Sequence, residues 1–100
     1  MLAQKEIIRV LHNELPYLKN NFGVKKIAIF GSFAKRLSED KSDIDVLIEF
    51  NKPIGLRFVD LAEYLEKKFG RKIDILTPAG IGGIRIKKVA RDIKRSLLYV

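Results

Sequence analysis

Residues 43–50 have the sequence Asp-Ile-Asp-Val-Leu-Ile-Glu-Phe, with an apolar residue at every second position from Ile44 onward. This alternation predicts a β-strand, because successive side chains of a strand point to opposite faces. Asp43 and Asp45 then share one face, roughly 6–7 Å apart at about 3.3 Å per residue. Carboxylates at this spacing can hold one hard cation or bridge two, and Mg²⁺ combines such ligands with water and phosphate oxygens.

A third carboxylate lies on a second predicted strand, residues 72–76, with the sequence Lys-Ile-Asp-Ile-Leu. Asp74 has the opposite parity to Ile73 and Ile75, so it can point away from their apolar face. A single aspartate at a strand end is about equally often a solvated surface group or a functional one. Three of them on two apolar strands favour a shared metal site, provided that the two strands are neighbours.

The pair Gly31-Ser32 directly follows the apolar run 27–30 and precedes Asp43 by eleven residues, counted from Ser32. A glycine after a strand allows backbone N–H groups to approach a phosphate closely. Ser32 can cap a following helix and offer its hydroxyl to a phosphate oxygen. Most Gly-Ser pairs form simple turns. This pair indicates a phosphate site only because of its sequence spacing from the carboxylates.

Together these segments resemble the signature Gly-Ser-x-Ala-Arg-Gly…Ser-Asp-x-Asp of the minimal nucleotidyltransferases, in the DNA polymerase beta superfamily. The matching residues are Gly31-Ser32-Phe33-Ala34-Lys35-Arg36 and Ser42-Asp43-Ile44-Asp45, and residues 73–75 resemble the strand of the third carboxylate. The resemblance implies one α/β domain over residues 1–100, with a mixed sheet of three or four strands flanked by helices.

The same resemblance implies magnesium-dependent transfer of a nucleotide, AMP from ATP in the first instance, to a hydroxyl group. It assigns catalysis and metal binding to Asp43, Asp45 and Asp74. It assigns nucleotide binding to Gly31, Ser32, Lys35 and Arg36. Members of this family commonly pair with a helical HEPN-type toxin, so the chain is expected to be an antitoxin that adenylylates its partner.

Lys35-Arg36 departs from the Arg-Gly of the signature. Lysine lacks the planar guanidinium group with which arginine forms two hydrogen bonds to a phosphate. An arginine is strained where glycine would adopt a left-handed backbone. Arg36→Gly should therefore raise turnover, and Lys35→Ala should weaken triphosphate binding. Steady-state kinetics with ATP measures both effects. A loss of activity in Arg36→Gly would mean that Arg36 itself binds phosphate.

Composition is that of a small basic domain with a net charge of +8 in 100 residues. No apolar run reaches the roughly 18 residues of a membrane span. The absence of cysteine excludes disulfides and thiolate metal sites and fits the cytoplasm. A chain of this length leaves little beyond a catalytic core, so we expect a macromolecular acceptor to complete the site.

Hydrophobic periodicity predicts helices at 3–20, 32–37 and 84–98, and another that Pro53 and Gly55 open and Gly70 closes. It predicts strands at 24–30, 43–50 and 72–76. Pro16 is expected to kink or divide the first helix, and Gly23 to cap it. Residues 78–83 are predicted to form a flexible loop.

The last predicted helix is strongly basic, with an apolar stripe of Ile86, Val89, Ala90, Ile93 and Leu97. It could bind nucleic acid or an acidic partner, but the absence of interleaved aromatic residues favours a solvated face. Residues 97–100 form an apolar end that could contact a partner. Two alternatives to the enzyme stay open: a catalytically weak partner-binding module of the same fold, and a nucleic-acid-binding protein.

Overall fold

Helices and strands alternate along most of the chain. The computed structural model describes residues 3–34 and 43–100. In chain order the elements are α1 (Gln4–Phe22), β1 (Val24–Phe30), α2 (Gly31–Ala34), β2 (Ile44–Phe50), α3 (Arg57–Phe69), β3 (Ile73–Leu76), α4 (Pro78–Gly82), α5 (Lys87–Ser96) and β4 (Leu98–Tyr99).

The four strands form one mixed sheet in the order β3-β2-β1-β4. β1 is antiparallel to both β2 and β4, and β2 is parallel to β3. The predicted α/β architecture is therefore confirmed. The structure also confirms that β2 and β3 are adjacent strands, as the convergence of the carboxylates requires.

α1 and α3 cover one face of the sheet and enclose the main core. The side chains that point to this face from β1 and β2 are buried, as are the inward residues of the two helices. They include Ile27, Ile29, Ile44, Val46 and Ile48 from the strands and Ile7, Leu11, Leu18, Leu61 and Leu65 from the helices.

α4 and α5 cover the opposite face, where the core is smaller. Ala28, Leu47 and Ile81 are buried there. Leu47 and Leu76 are paired across β2 and β3 and both contribute to this second core. Because side chains alternate along a strand, Asp45 and Asp74 belong to the same face as these leucines.

Pro16 lies inside α1, so of its two predicted effects, a kink or a division of the helix, division is wrong. The proline removes one backbone hydrogen bond, but Leu11 before it and Leu18 after it are both fully buried. Their packing on both sides of Pro16 stabilises a continuous helix. Gly23 ends the helix with a left-handed backbone (φ 67°), as predicted.

The prediction of a flexible loop at residues 78–83 is wrong, because Pro78–Gly82 forms α4. Thr77 caps this helix, since its side-chain oxygen accepts a hydrogen bond from the Gly80 N–H at 3.1 Å. Pro78 occupies the first helical turn, where its missing N–H costs nothing. Burial of Ile81 ties α4 to the sheet.

The C-terminal segment differs from the predicted helix 84–98. α5 ends at Ser96, Leu97 is extended, and Leu98 and Tyr99 pair with β1 as β4. The Val100 N–H donates a hydrogen bond to the Ile27 carbonyl at 3.0 Å. The apolar end therefore closes the sheet, although Leu98 and Tyr99 still expose 37% and 57% of their surface.

The apolar stripe of α5 is narrower than predicted. Ala90, Ile93 and Leu97 pack against the second core. Ile86 and Val89 are exposed instead. Within residues 3–34 and 43–100, no helix has the length and apolar character needed to cross a membrane.

Candidate active site

Asp45 and Asp74 lie side by side on adjacent strands. They are register partners in the parallel pair of β2 and β3, whose backbones are about 4.8 Å apart. The Ile44 N–H donates to the Lys72 carbonyl at 3.1 Å, which fixes the start of this pairing. Asp74 is exposed and Asp45 is partly buried, so the pair opens to solvent on the side of Asp74.

The pKa of Asp45 is raised from 3.8 to about 6. Burial is the largest cause, followed by the negative charge of Asp74, that of Asp43, and a side-chain hydrogen bond with Asp74. Asp43, immediately before β2, is thus close enough to influence Asp45. The three predicted carboxylates form one acidic cluster with Asp45 at its centre.

This cluster is not a closed metal cage. In the described part of the chain, no three His, Cys, Asp or Glu side chains are grouped so that they could hold one metal ion. Asp45 and Asp74 are paired, whereas Asp43 acts on Asp45 through its charge. Metal binding by Asp43, Asp45 and Asp74 therefore stays a prediction.

Gly31 lies directly against Asp45. Its backbone is left-handed (φ 72°), and a Cβ atom on this residue would come within 2.3 Å of Asp45 Oδ2. The contact follows from the register, since Phe30 at the end of β1 pairs with Asp45. Glycine is therefore required both for the backbone conformation and for the space beside the carboxylate.

Ser32 is the second residue of α2, which begins at Gly31, so it lies within this short helix instead of preceding it. Lys35 and Arg36, the predicted phosphate-binding cations, lie outside the described residues. The same is true of residues 35–37 of the predicted helix and of Ser42. Their expected roles stay predictions.

Two residues outside the signature hold α2 in place. The Gln4 amide donates hydrogen bonds to the carbonyls of Phe33, at 3.3 Å, and Ala34, at 2.8 Å. Arg71 lies over the buried Phe33 ring, 5.6 Å from its centroid. These contacts join distant parts of the chain, and no local pattern in the sequence indicates them. His12 is exposed on α1, on the layer that covers the other face of the sheet.

The chain resembles known proteins over its whole length. It is 38% identical to a Methanocaldococcus jannaschii chain inferred to be a protein adenylyltransferase, and the match covers 100% of both chains. It is 32% identical to the protein adenylyltransferase MntA of Thermococcus cleftensis, covering 100% of this chain and 98% of the relative.

Solved structures share the fold. One, inferred to be a minimal nucleotidyltransferase, superposes with a TM-score of 0.73 at 21% identity over 97% of this chain and 95% of the other. A toxin–antitoxin structure with AMP-PNP gives a TM-score of 0.63 at 17% identity, covering 98% and 72%. The model of the nucleotidyltransferase domain family matches residues 13–100. With the carboxylate pair beside a glycine turn, these matches show that the chain belongs to the nucleotidyltransferase domain family.

Proposed function

We propose that this nucleotidyltransferase transfers AMP from ATP to a hydroxyl group of a partner protein, with Mg²⁺ as its cofactor. The observation that carries the proposal is the Asp45–Asp74 pair, with Gly31 packed against it at the end of β1. The names of the relatives, protein adenylyltransferases, support a protein as acceptor. The AMP-PNP bound in a toxin–antitoxin structure of the same fold supports a nucleoside triphosphate as donor.

The donor set suits Mg²⁺. Carboxylate oxygens are its preferred protein ligands, and a divalent cation would offset the burial and the carboxylate repulsion that together raise the pKa of Asp45. The paired carboxylates of Asp45 and Asp74 would hold the ion together with phosphate and water oxygens, and Asp43 would complete the set after a rotation of its side chain. When bound, it would neutralise phosphate charge and the charge that develops during transfer.

Each candidate site residue would have a distinct role in the transfer. Gly31 and Ser32 would offer backbone N–H groups to the triphosphate, and Lys35 and Arg36 would neutralise its charge. Asp74, the exposed member of the pair, would accept the proton of the acceptor hydroxyl. The acceptor oxygen then forms a bond to the α-phosphorus as the bond to the bridging α,β oxygen breaks, and pyrophosphate leaves.

The expected partner is a toxin of the HEPN type, with this chain as the antitoxin in the cytoplasm. Toxin–antitoxin complexes among the structural neighbours support such an assembly. We propose that residues 1–100 act as one catalytic domain, and that the partner supplies the remainder of an otherwise open site. A partner-binding module without activity would form the same complex but leave the partner unmodified.

Labelled ATP tests this function directly. The protein is incubated with Mg²⁺, its genomic-neighbour protein and ATP labelled either at the α- or at the γ-phosphate. Nucleotide transfer predicts labelling of the neighbour from α-labelled ATP only. Labelling from the γ position would indicate phosphoryl transfer, and labelling from neither would favour the non-catalytic module. Equal labelling of small alcohols would contradict a macromolecular acceptor.

Gly31→Ala should lower AMP transfer about tenfold or more, because the new methyl group would displace the Asp45 carboxylate. The matched control is Gly70→Ala. Gly70 also has a left-handed backbone (φ 63°), but a Cβ there would meet no atom within 4 Å. Both variants should lose about 1–2 kcal/mol of stability through backbone strain. Thermal unfolding and initial rates of transfer separate the two effects, and equal activity in the two variants would show that Gly31 serves only the turn.

A further inference from the structure

A groove opens between α4 and α5 on the face of the sheet that carries Asp45 and Asp74. It has a volume of about 400 Å³ and is open to solvent. Its lining includes Leu47, Glu49, Pro78, Ile81, Lys94 and Tyr99. This volume lies within the usual range for ligand-binding clefts, about 300–1,000 Å³.

The groove begins close to the proposed reaction centre. Leu47 lies two residues along β2 from Asp45, roughly 6–7 Å away, and Glu49 is twice as far. An extended segment of about five residues lying in the groove above β2 could therefore span from Glu49 to Asp74. Such a segment would present its hydroxyl to Asp74 while its other side chains lie in the groove.

The lining selects the chemistry of this segment. Pro78, Leu97 and Tyr99 offer apolar surface above the buried Leu47 and Ile81, which favours apolar side chains. Glu49 is met by Lys25, with Nζ 4.0 Å from Oε1. Lys94 has no carboxylate within 4.0 Å among the residues that the structure describes. It is therefore the charged group that an incoming side chain would meet.

The net charge of α5, which carries Lys94, is also positive. α5 contains five basic residues and one acidic residue. It would therefore attract an acidic segment toward the groove. A nucleic acid fits less well, because its backbone needs a track of cations, whereas the groove presents apolar walls and Lys94.

We propose that the α4–α5 groove docks an extended acidic segment of the partner protein, which carries apolar side chains and the acceptor hydroxyl, and that Lys94 recognises its acidic residue. This inference rests on the proposed function and identifies the acceptor-binding surface of the same site. Lys94 is a positioning residue, because it would orient the segment without touching the reacting atoms.

The test uses binding of defined peptides and needs no turnover. The probe is a fluorescein-labelled heptapeptide, Glu-Glu-Leu-Glu-Leu-Tyr-Gly. The control peptide has lysine at each glutamate position. Fluorescence anisotropy is measured in the absence of ATP, so a failure of catalysis would leave the result intact. Lys94→Glu is compared with Lys88→Glu, which changes the net charge equally but lies on the helix face opposite Ala90.

We expect the acidic peptide to bind about tenfold more tightly than the basic one, a difference of ~1.4 kcal/mol. Lys94→Glu should weaken its binding about tenfold and favour the basic peptide instead. Lys88→Glu should change it by less than about twofold. Equal effects of the two substitutions, equal binding of the two peptides, or stronger binding of a thymidine oligonucleotide than of the acidic peptide would each overturn the proposal.

Discussion

Asp45→Asn should reduce AMP transfer by about 10³-fold or more, equivalent to ~4 kcal/mol of transition-state stabilisation. Asparagine keeps the size of the side chain but removes the charge at the centre of the acidic cluster. It would leave Asp74 without its paired carboxylate and weaken the binding of a cation. Initial rates with α-labelled ATP and the partner protein measure the effect.

The same substitution should not destabilise the fold at pH 8. The folded-state pKa of Asp45, about 6, lies above its ordinary 3.8, so folding disfavours the ionised form. This unfavourable contribution is absent below about pH 4, grows between pH 4 and 6, and is full above pH 6. It amounts to at most about 3 kcal/mol, and solvent access reduces it to about 1 kcal/mol.

Asp45→Asn should therefore match or exceed the stability of the unaltered protein at pH 8. Asp92→Asn, on the exposed part of α5, is the matched control and should leave transfer within about twofold. Urea unfolding at pH 5 and pH 8 compares the variants. If Asp45→Asn unfolded the domain, or if both substitutions lowered transfer equally, the carboxylate would be structural.

Chelation of Mg²⁺ should weaken ATP binding by about 100-fold, because the triphosphate would then face the carboxylates without a compensating charge. The affinity for Mg²⁺-ATP should also depend on pH. Protonation of Asp45, with its pKa of about 6, competes with metal binding, so affinity should fall as pH drops from 7 to 5. Calorimetric titrations with Mg²⁺ and with EDTA at each pH measure both effects.

The Asp45→Asn variant is the control for this dependence, since it lacks the titrating carboxylate. It should bind ATP similarly with and without Mg²⁺ and show a flatter pH profile. Equal affinity of the unaltered protein for ATP in Mg²⁺ and in EDTA would contradict a metal site formed by Asp43, Asp45 and Asp74.

The strands and the carboxylates could be predicted because their signals are local. Alternation along residues 44–50 sets which side chains share a face, and it places Asp45 opposite the buried Ile44 and Val46. The parallel pairing that brings Asp74 beside Asp45 is a long-range contact. The family resemblance, more than periodicity, indicates it.

The C-terminal third shows where local signals fail. Residues 97–100 continue the apolar stripe of a helix, but the free edge of β1 is available to Leu98 and Tyr99. Pairing there satisfies backbone groups of β1 that a longer helix would leave unpaired. The glycines that follow Ala79 favour a loop, whereas the Thr77 cap and burial of Ile81 stabilise a short helix. The anchoring of α2 by Gln4 depends entirely on tertiary contact.

The most direct test of AMP transfer by the Asp45–Asp74 pair is the intact mass of the partner protein after co-expression. Three versions of this chain are compared: the unaltered protein, Asp74→Asn and Asp92→Asn. We expect the partner to gain the mass of one or more AMP groups with the unaltered protein and with Asp92→Asn, and to remain unmodified with Asp74→Asn. An unmodified partner in all three, or equal modification in all three, would contradict catalysis by this pair.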